Sequence, residues 1–107
     1  MWRTDNEKIM NILDNVESKK QFFPVICPIC EKSDGHLYFH RNKKGEVRGG
    51  VWVWCSACCN SSHATYRIPE WWENLEIIEF ENLKNYPDYL EDNKRSIDDW
   101  INKLLFK

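Results

Sequence analysis

At 107 residues the chain has the length of one domain, because chains divide into separate cores only beyond roughly 250 residues. With 42% hydrophobic and 30% charged residues and only four Gly and four Pro, a disordered or low-complexity chain is excluded. No apolar run approaches the ~18 residues of a membrane span, and the N-terminus lacks an apolar stretch of signal-peptide type. A cytoplasmic protein is expected, and in a reducing compartment its five cysteines point to metal ligation before disulfides.

The net charge of −2 conceals three blocks. Residues 1–69 carry ten Lys/Arg against seven Asp/Glu, residues 70–92 one against eight, and residues 93–107 four against two. An overall basic surface for non-specific nucleic-acid binding is disfavoured, although a local basic patch is not.

In chain order, an N-terminal segment (1–21) opens on Thr4-Asp5-Asn6-Glu7, which fits a capping box. Ile9, Leu13 and Val16, with Met10 and Ile12, then predict a packing helix over roughly 5–19. From 22 to 69 the period changes to short β-type runs at 22–26, 36–41, 47–54 and 64–68. Asn42-Lys43-Lys44-Gly45 would close a hairpin between the second and third runs. Gly49-Gly50, inside the returning strand, predicts a bulge or a close backbone approach. Trp52 and Trp54 share one face of that strand and Val51 and Val53 the other. Either the indoles are core, or they form an external aromatic strip.

Residues 70–92 interleave carboxylates with apolar side chains. Pro69 could open a short helix through Trp71 and Trp72, while Glu76 to Phe80 is equally compatible with a strand. In the last segment (93–107), Ser96-Ile97-Asp98-Asp99 is a second capping-box-like start. Ile97, Trp100, Ile101, Leu104 and Leu105 follow at helical spacing.

Cys27-Pro28-Ile29-Cys30 and Cys55-Ser56-Ala57-Cys58 carry the clearest chemistry. Two residues between cysteines let a tight turn aim both sulfurs at one point, and two such turns make a tetrahedral four-thiolate shell suited to zinc. On these motifs residues 22–68 resemble the zinc-ribbon group, in which two cysteine knuckles hold one structural zinc at the end of a small antiparallel sheet. Together with the helices read from the spacing, this gives an α+β fold, a zinc-ribbon antiparallel sheet flanked by N-terminal and C-terminal helices. A Gly often follows the second cysteine of such knuckles, whereas Glu31 and Cys59 stand there in this chain. Cys59 therefore remains an alternative to Cys58 as the fourth ligand, and His63 is a separate one.

Cys-Pro-x-Cys after an apolar run also resembles the glutaredoxin motif, a thiol redox alternative. It requires a helix directly after Cys30, where the sequence has Glu31-Lys32-Ser33-Asp34-Gly35-His36 instead. Four cysteines leave no open coordination position for catalysis, and Gly-x-Ser-x-Gly, phosphate-loop and His-Glu-x-x-His motifs are absent. A non-enzymatic binding protein is the expectation.

Two surfaces suggest partners. Arg41, Lys43, Lys44 and Arg48, in and beside the hairpin turn next to Trp52 and Trp54, could bind nucleic acid by phosphate contact and base stacking. Trp71, Trp72, Glu73, Glu76 and Glu79 join acidic charge to aromatic anchors and suit a basic protein. The run Gly49 to Cys58, with His63 and Ile68-Pro69-Glu70-Trp71-Trp72, resembles small bacterial immunity proteins of polymorphic toxin systems. That resemblance implies a protein that neutralises a basic, nuclease-type toxin.

Overall fold

A computed structural model describes residues 2–43 and 45–107. Its fold is α+β, with a three-stranded antiparallel sheet of order β1-β2-β3 and helical segments before and after it. The strands are β1 (Gly35–His40), β2 (Arg48–Cys55) and β3 (Ser61–Arg67). The β1–β2 register runs from Gly35 opposite Cys55 to His40 opposite Gly50.

The N-terminal helix is shorter than expected and of mixed type. A 3-10 helix, Glu7–Leu13, passes into α1 (Asp14–Glu17). Its cap is Asn6, whose side chain accepts from the Lys8 amide, rather than Thr4. Ile9, Ile12, Leu13 and Val16 are buried as the spacing predicts.

Residues 22–26 do not form a strand. Pro24 has no amide hydrogen for a ladder, and only Val25 pairs, exchanging hydrogen bonds of 2.9 and 2.8 Å with Gly35. The third strand starts three residues earlier than expected, at Ser61. A second unforeseen pairing is the parallel bridge Arg3–Asn60, which fastens the chain start beside the second knuckle.

Both faces of β2 are covered, so the choice between Val and Trp as core is not exclusive. Val51, Val53, Trp52 and Trp54 are all buried. Strand side chains alternate, and an ideal Cβ at Gly35, opposite Cys55, would meet Ile12 of the N-terminal helix. The other face carries His36, which reaches Asp98, and Trp54, whose indole N–H donates to Glu91. Trp52 and Trp54 therefore do not make an external strip. Gly49 marks the close approach read from the sequence, since a Cβ there would collide with the His40 carbonyl oxygen.

Residues 70–79 adopt neither the short helix nor the strand considered for them. They turn at Glu70–Trp71 and Glu76–Ile77 and then enter a 3-10 helix, Phe80–Asn85, followed by α2 (Asp88–Asp92). The terminal helix α3 (Lys94–Leu105) begins two residues before Ser96, with Asn93 at its N-cap position. Of the expected stripe, Ile97, Ile101, Leu104 and Leu105 are buried and Trp100 is half-buried, with Asp98 buried beside them. Among the described residues no helix is long and apolar enough to cross a membrane.

Candidate metal centre

The two knuckles are built on one backbone pattern. In the first, the Cys27 amide donates to Lys32 O at 2.8 Å and the Glu31 amide to Cys27 O at 3.0 Å. In the second, at the same offsets, the Cys55 amide donates to Asn60 O at 2.9 Å and the Cys59 amide to Cys55 O at 3.0 Å. Both turns close through a left-handed residue, Glu31 with φ 66° and Cys59 with φ 61°. The sequence departs from the glycine usual at these places, but the backbone takes the conformation that glycine favours.

These turns bring Cys27, Cys30, Cys55 and Cys58 together, with all four sulfurs within 4.8 Å of one another. The first cysteine of each knuckle faces the second of the other. Cys27 Sγ lies 3.8 Å from Cys58 Sγ and Cys30 Sγ 3.6 Å from Cys55 Sγ. All five cysteines are free thiols. The group can hold one metal ion.

The surroundings treat the four sulfurs differently. Burial pushes the Cys27 thiol up, opposed by the Cys30 and Ile29 amides, the latter 3.4 Å from its sulfur. Burial raises Cys55 strongly, against the pull of the Cys58 and Ala57 amides. Burial also raises Cys58, but the Asn60 carboxamide, 3.1 Å away, and the Asn60 backbone amide outweigh it. With Cys55 and Cys27 they bring Cys58 down to about 7. Asn60, itself buried, is a contact of the sulfur cluster that the sequence reading missed.

Cys59 lies outside the sulfur cluster. His63 does too, its Nδ1 standing 3.0 Å from the Tyr86 hydroxyl. Neither replaces Cys58. No helix follows Cys30, where the chain bends into β1, so the arrangement that activates a glutaredoxin cysteine is missing.

The basic and acidic candidates separate on inspection. Arg41 is a half-buried clamp, its guanidinium donating to Pro69 O at 2.9 Å and Trp72 O at 3.3 Å. Asn74 completes the clamp, accepting from the Arg41 amide at 2.9 Å and donating to Arg41 O at 2.7 Å. Arg41 is therefore not a free phosphate ligand. Lys43 and Arg48 are exposed, and Lys44 lies outside the described residues. Trp72 is fully buried, edge-on to Tyr38 and Phe39, and so serves the core rather than a surface. Trp71 is half-buried, and Glu73, Glu76 and Glu79 are exposed.

Protein-family models, curated proteins and solved structures all return no match to this chain. The reading of the centre rests on its geometry.

Proposed function

We propose that the protein is a non-enzymatic zinc protein whose metal is structural and whose surface binds a protein partner. The spacing of the sulfurs carries the zinc assignment. Four thiolates about 2.3 Å from a tetrahedral zinc stand about 3.8 Å apart, and the two cross-knuckle contacts are 3.8 and 3.6 Å. Soft thiolate donors favour zinc over calcium or magnesium. A full tetrahedron leaves no position for a reacting water, so the ion would act on folding, with a contribution on the order of 10 kcal/mol. Elemental analysis should find one zinc per chain, and a chelator should lower the melting temperature sharply. Metal-free protein with an unchanged melting curve overturns this.

The partner reading is supported by the exposed carboxylates Glu73, Glu76 and Glu79 around Ile77, which is itself 54% exposed. Charge of one sign steers encounter with a basic surface, and an apolar side chain supplies burial once contact is made. A basic protein is the partner class this chemistry fits, and a nuclease-type toxin is the one the resemblance implies. A basic protein retained from native lysate by the wild type, and lost from a Glu73→Lys/Glu76→Lys/Glu79→Lys variant of equal melting temperature, supports this reading. Equal retention by both places the interface elsewhere.

A further inference from the structure

Two adjoining cavities, of about 500 and 420 Å³, share Trp52, His63 and Phe80 and form one groove, of a size usual for small-ligand sites. Its floor is an indole. Trp52, 8% exposed, folds back over Gly50, where a Cβ would come within 2.5 Å of its Cη2 atom, so the bare glycine makes room for the ring. His63, the cross-strand neighbour of Trp52, presents a ring only 15° from the indole plane at a centroid distance of 6.4 Å. Opposite them stands Phe80, 59% exposed and stacked on His40 at 4.9 Å. An exposed phenyl ring held in place by stacking, beside an imidazole and the small part of the Trp52 indole that stays accessible, is a preformed surface for a planar ring.

The groove has a cation at each end. Arg48 lines it beside Gly49, and Lys84 lines the other end together with Glu81. Among the described residues neither cation has a carboxylate within 4 Å. Glu81 offsets the charge at the Lys84 end, which leaves the Arg48 guanidinium as the anion site of the groove. A purely apolar ligand would leave Arg48 unused, and an anion without a ring would leave Phe80 uncovered.

We propose that this groove binds a nucleobase carrying a phosphate, the base stacked among Trp52, His63 and Phe80 and the phosphate on Arg48. The ligand chemistry is the same for a free mononucleotide and for one nucleotide of a single strand. The site uses neither Arg41 nor Trp54, and at Phe80 it borders Glu79 of the acidic stretch proposed for a protein partner.

The test is an NMR titration of the metal-loaded protein with AMP, with adenosine and with a short oligodeoxyadenylate. AMP should move the Trp52 indole N–H and His63 ring signals along one saturable isotherm, and adenosine should bind about tenfold more weakly for want of the charged contact. Because Trp52→Ala endangers the core, the variants are Phe80→Ala and Arg48→Ala, both at exposed positions. Phe80→Ala should weaken AMP about tenfold, and Arg48→Ala should erase the advantage of AMP over adenosine. An oligonucleotide that binds much more tightly than AMP, with steep salt dependence, identifies a single strand as the source. Equal affinity identifies the free nucleotide. Signals that move with neither AMP nor the oligonucleotide overturn the proposal, as do shifts that are the same in wild type and both variants.

Discussion

His36 Nδ1 stands 2.8 Å from Asp98 Oδ1 and 3.0 Å from Oδ2, joining β1 to α3 in the interior. The second ring nitrogen lies 2.8 Å from Ser56 Oγ, and Ser56 donates to Glu91 at 2.7 Å. Glu91 also accepts from Trp54 and pairs with Lys94 at 2.9 Å. This chain of hydrogen bonds ties the second cysteine knuckle to α2 and α3. Asp98, His36 and Ser56 stand in series as in an acyl-transfer triad, yet the Ser56 hydroxyl hydrogen is directed at Glu91 and away from the imidazole. The series joins β1, the second knuckle, α2 and α3 in the interior.

Removing one end of this tie strands the other in the interior. Burial pushes the Asp98 carboxyl up, and the His36 hydrogen bond draws it back, so the carboxyl depends on that partner. Asp98→Ala should cost about 3 kcal/mol in denaturant unfolding of the metal-loaded protein. Asp98→Asn, which keeps an acceptor oxygen for Nδ1, should cost less. A loss below about 0.5 kcal/mol for the alanine variant, the size of an ordinary surface change, would mean that the contact does not hold α3.

The tie shows where the sequence was legible and where it was not. Alternation and the turn residues around Gly45 determine β1 and β2, and the spacing of the cysteine pairs locates the metal centre, because all three are local patterns. His36 and Asp98 are 62 residues apart, and nothing local marks them as partners. The Ser96 capping pattern misled because α3 already starts at Lys94, directly after the cap position Asn93, leaving Ser96 inside the first turn. Interleaved acidic and apolar residues after Pro69 fit both the helical and the strand period. Their conformation is set instead by the Arg41 clamp and by Trp72 filling the space beside Tyr38 and Phe39.

The paired left-handed turns separate Cys58 from Cys59. At φ 61° Cys59 holds a conformation that costs an L-residue roughly 1–2 kcal/mol, less the greater chain entropy of glycine when unfolded. Cys59→Gly should therefore keep one metal per chain and leave the melting temperature equal or slightly higher. Cys58→Ser should lose the metal. Glu31→Gly, at φ 66° in the first knuckle, should behave like Cys59→Gly. Metal content after each substitution decides the matter, and loss of metal in Cys59→Gly would sink the assignment of Cys58.

Asn60 makes a prediction about pH. With the Cys58 thiol at about 7 in the fold against 9.0 for a free thiol, the folded state favours the thiolate. That preference is fully present above pH 9 and is lost as the pH falls through about 7. Metal binding requires thiolates, so acid competes with the metal for the same sulfurs. Asn60→Ala removes the carboxamide donor 3.1 Å from Cys58 Sγ and lets the thiol rise. The midpoint of metal release, followed with a colorimetric chelator during acidification, should move to higher pH. Affinity at neutral pH should fall about tenfold or more, as for other groups that support metal ligands. An unchanged midpoint would show that the knuckle amides alone set this sulfur.

Arg41 and Lys43 sit two residues apart in a basic stretch, but the structure gives them different work. The Arg41 guanidinium holds the carbonyls of Pro69 and Trp72, and its backbone is bracketed by Asn74. Lys43 is exposed. Arg41→Ala leaves two carbonyls without their charged donor and loosens the turn that seats Trp72, at a cost of about 1–3 kcal/mol. Arg41→Lys should recover only part of that, since one ammonium does not reproduce a planar fork reaching two acceptors. Lys43→Ala should leave stability within about 0.5 kcal/mol. Thermal melts of the three variants separate the roles: if Arg41→Ala melts like Lys43→Ala, the guanidinium is not the clamp, and Asn74 with Trp72 holds the segment without it.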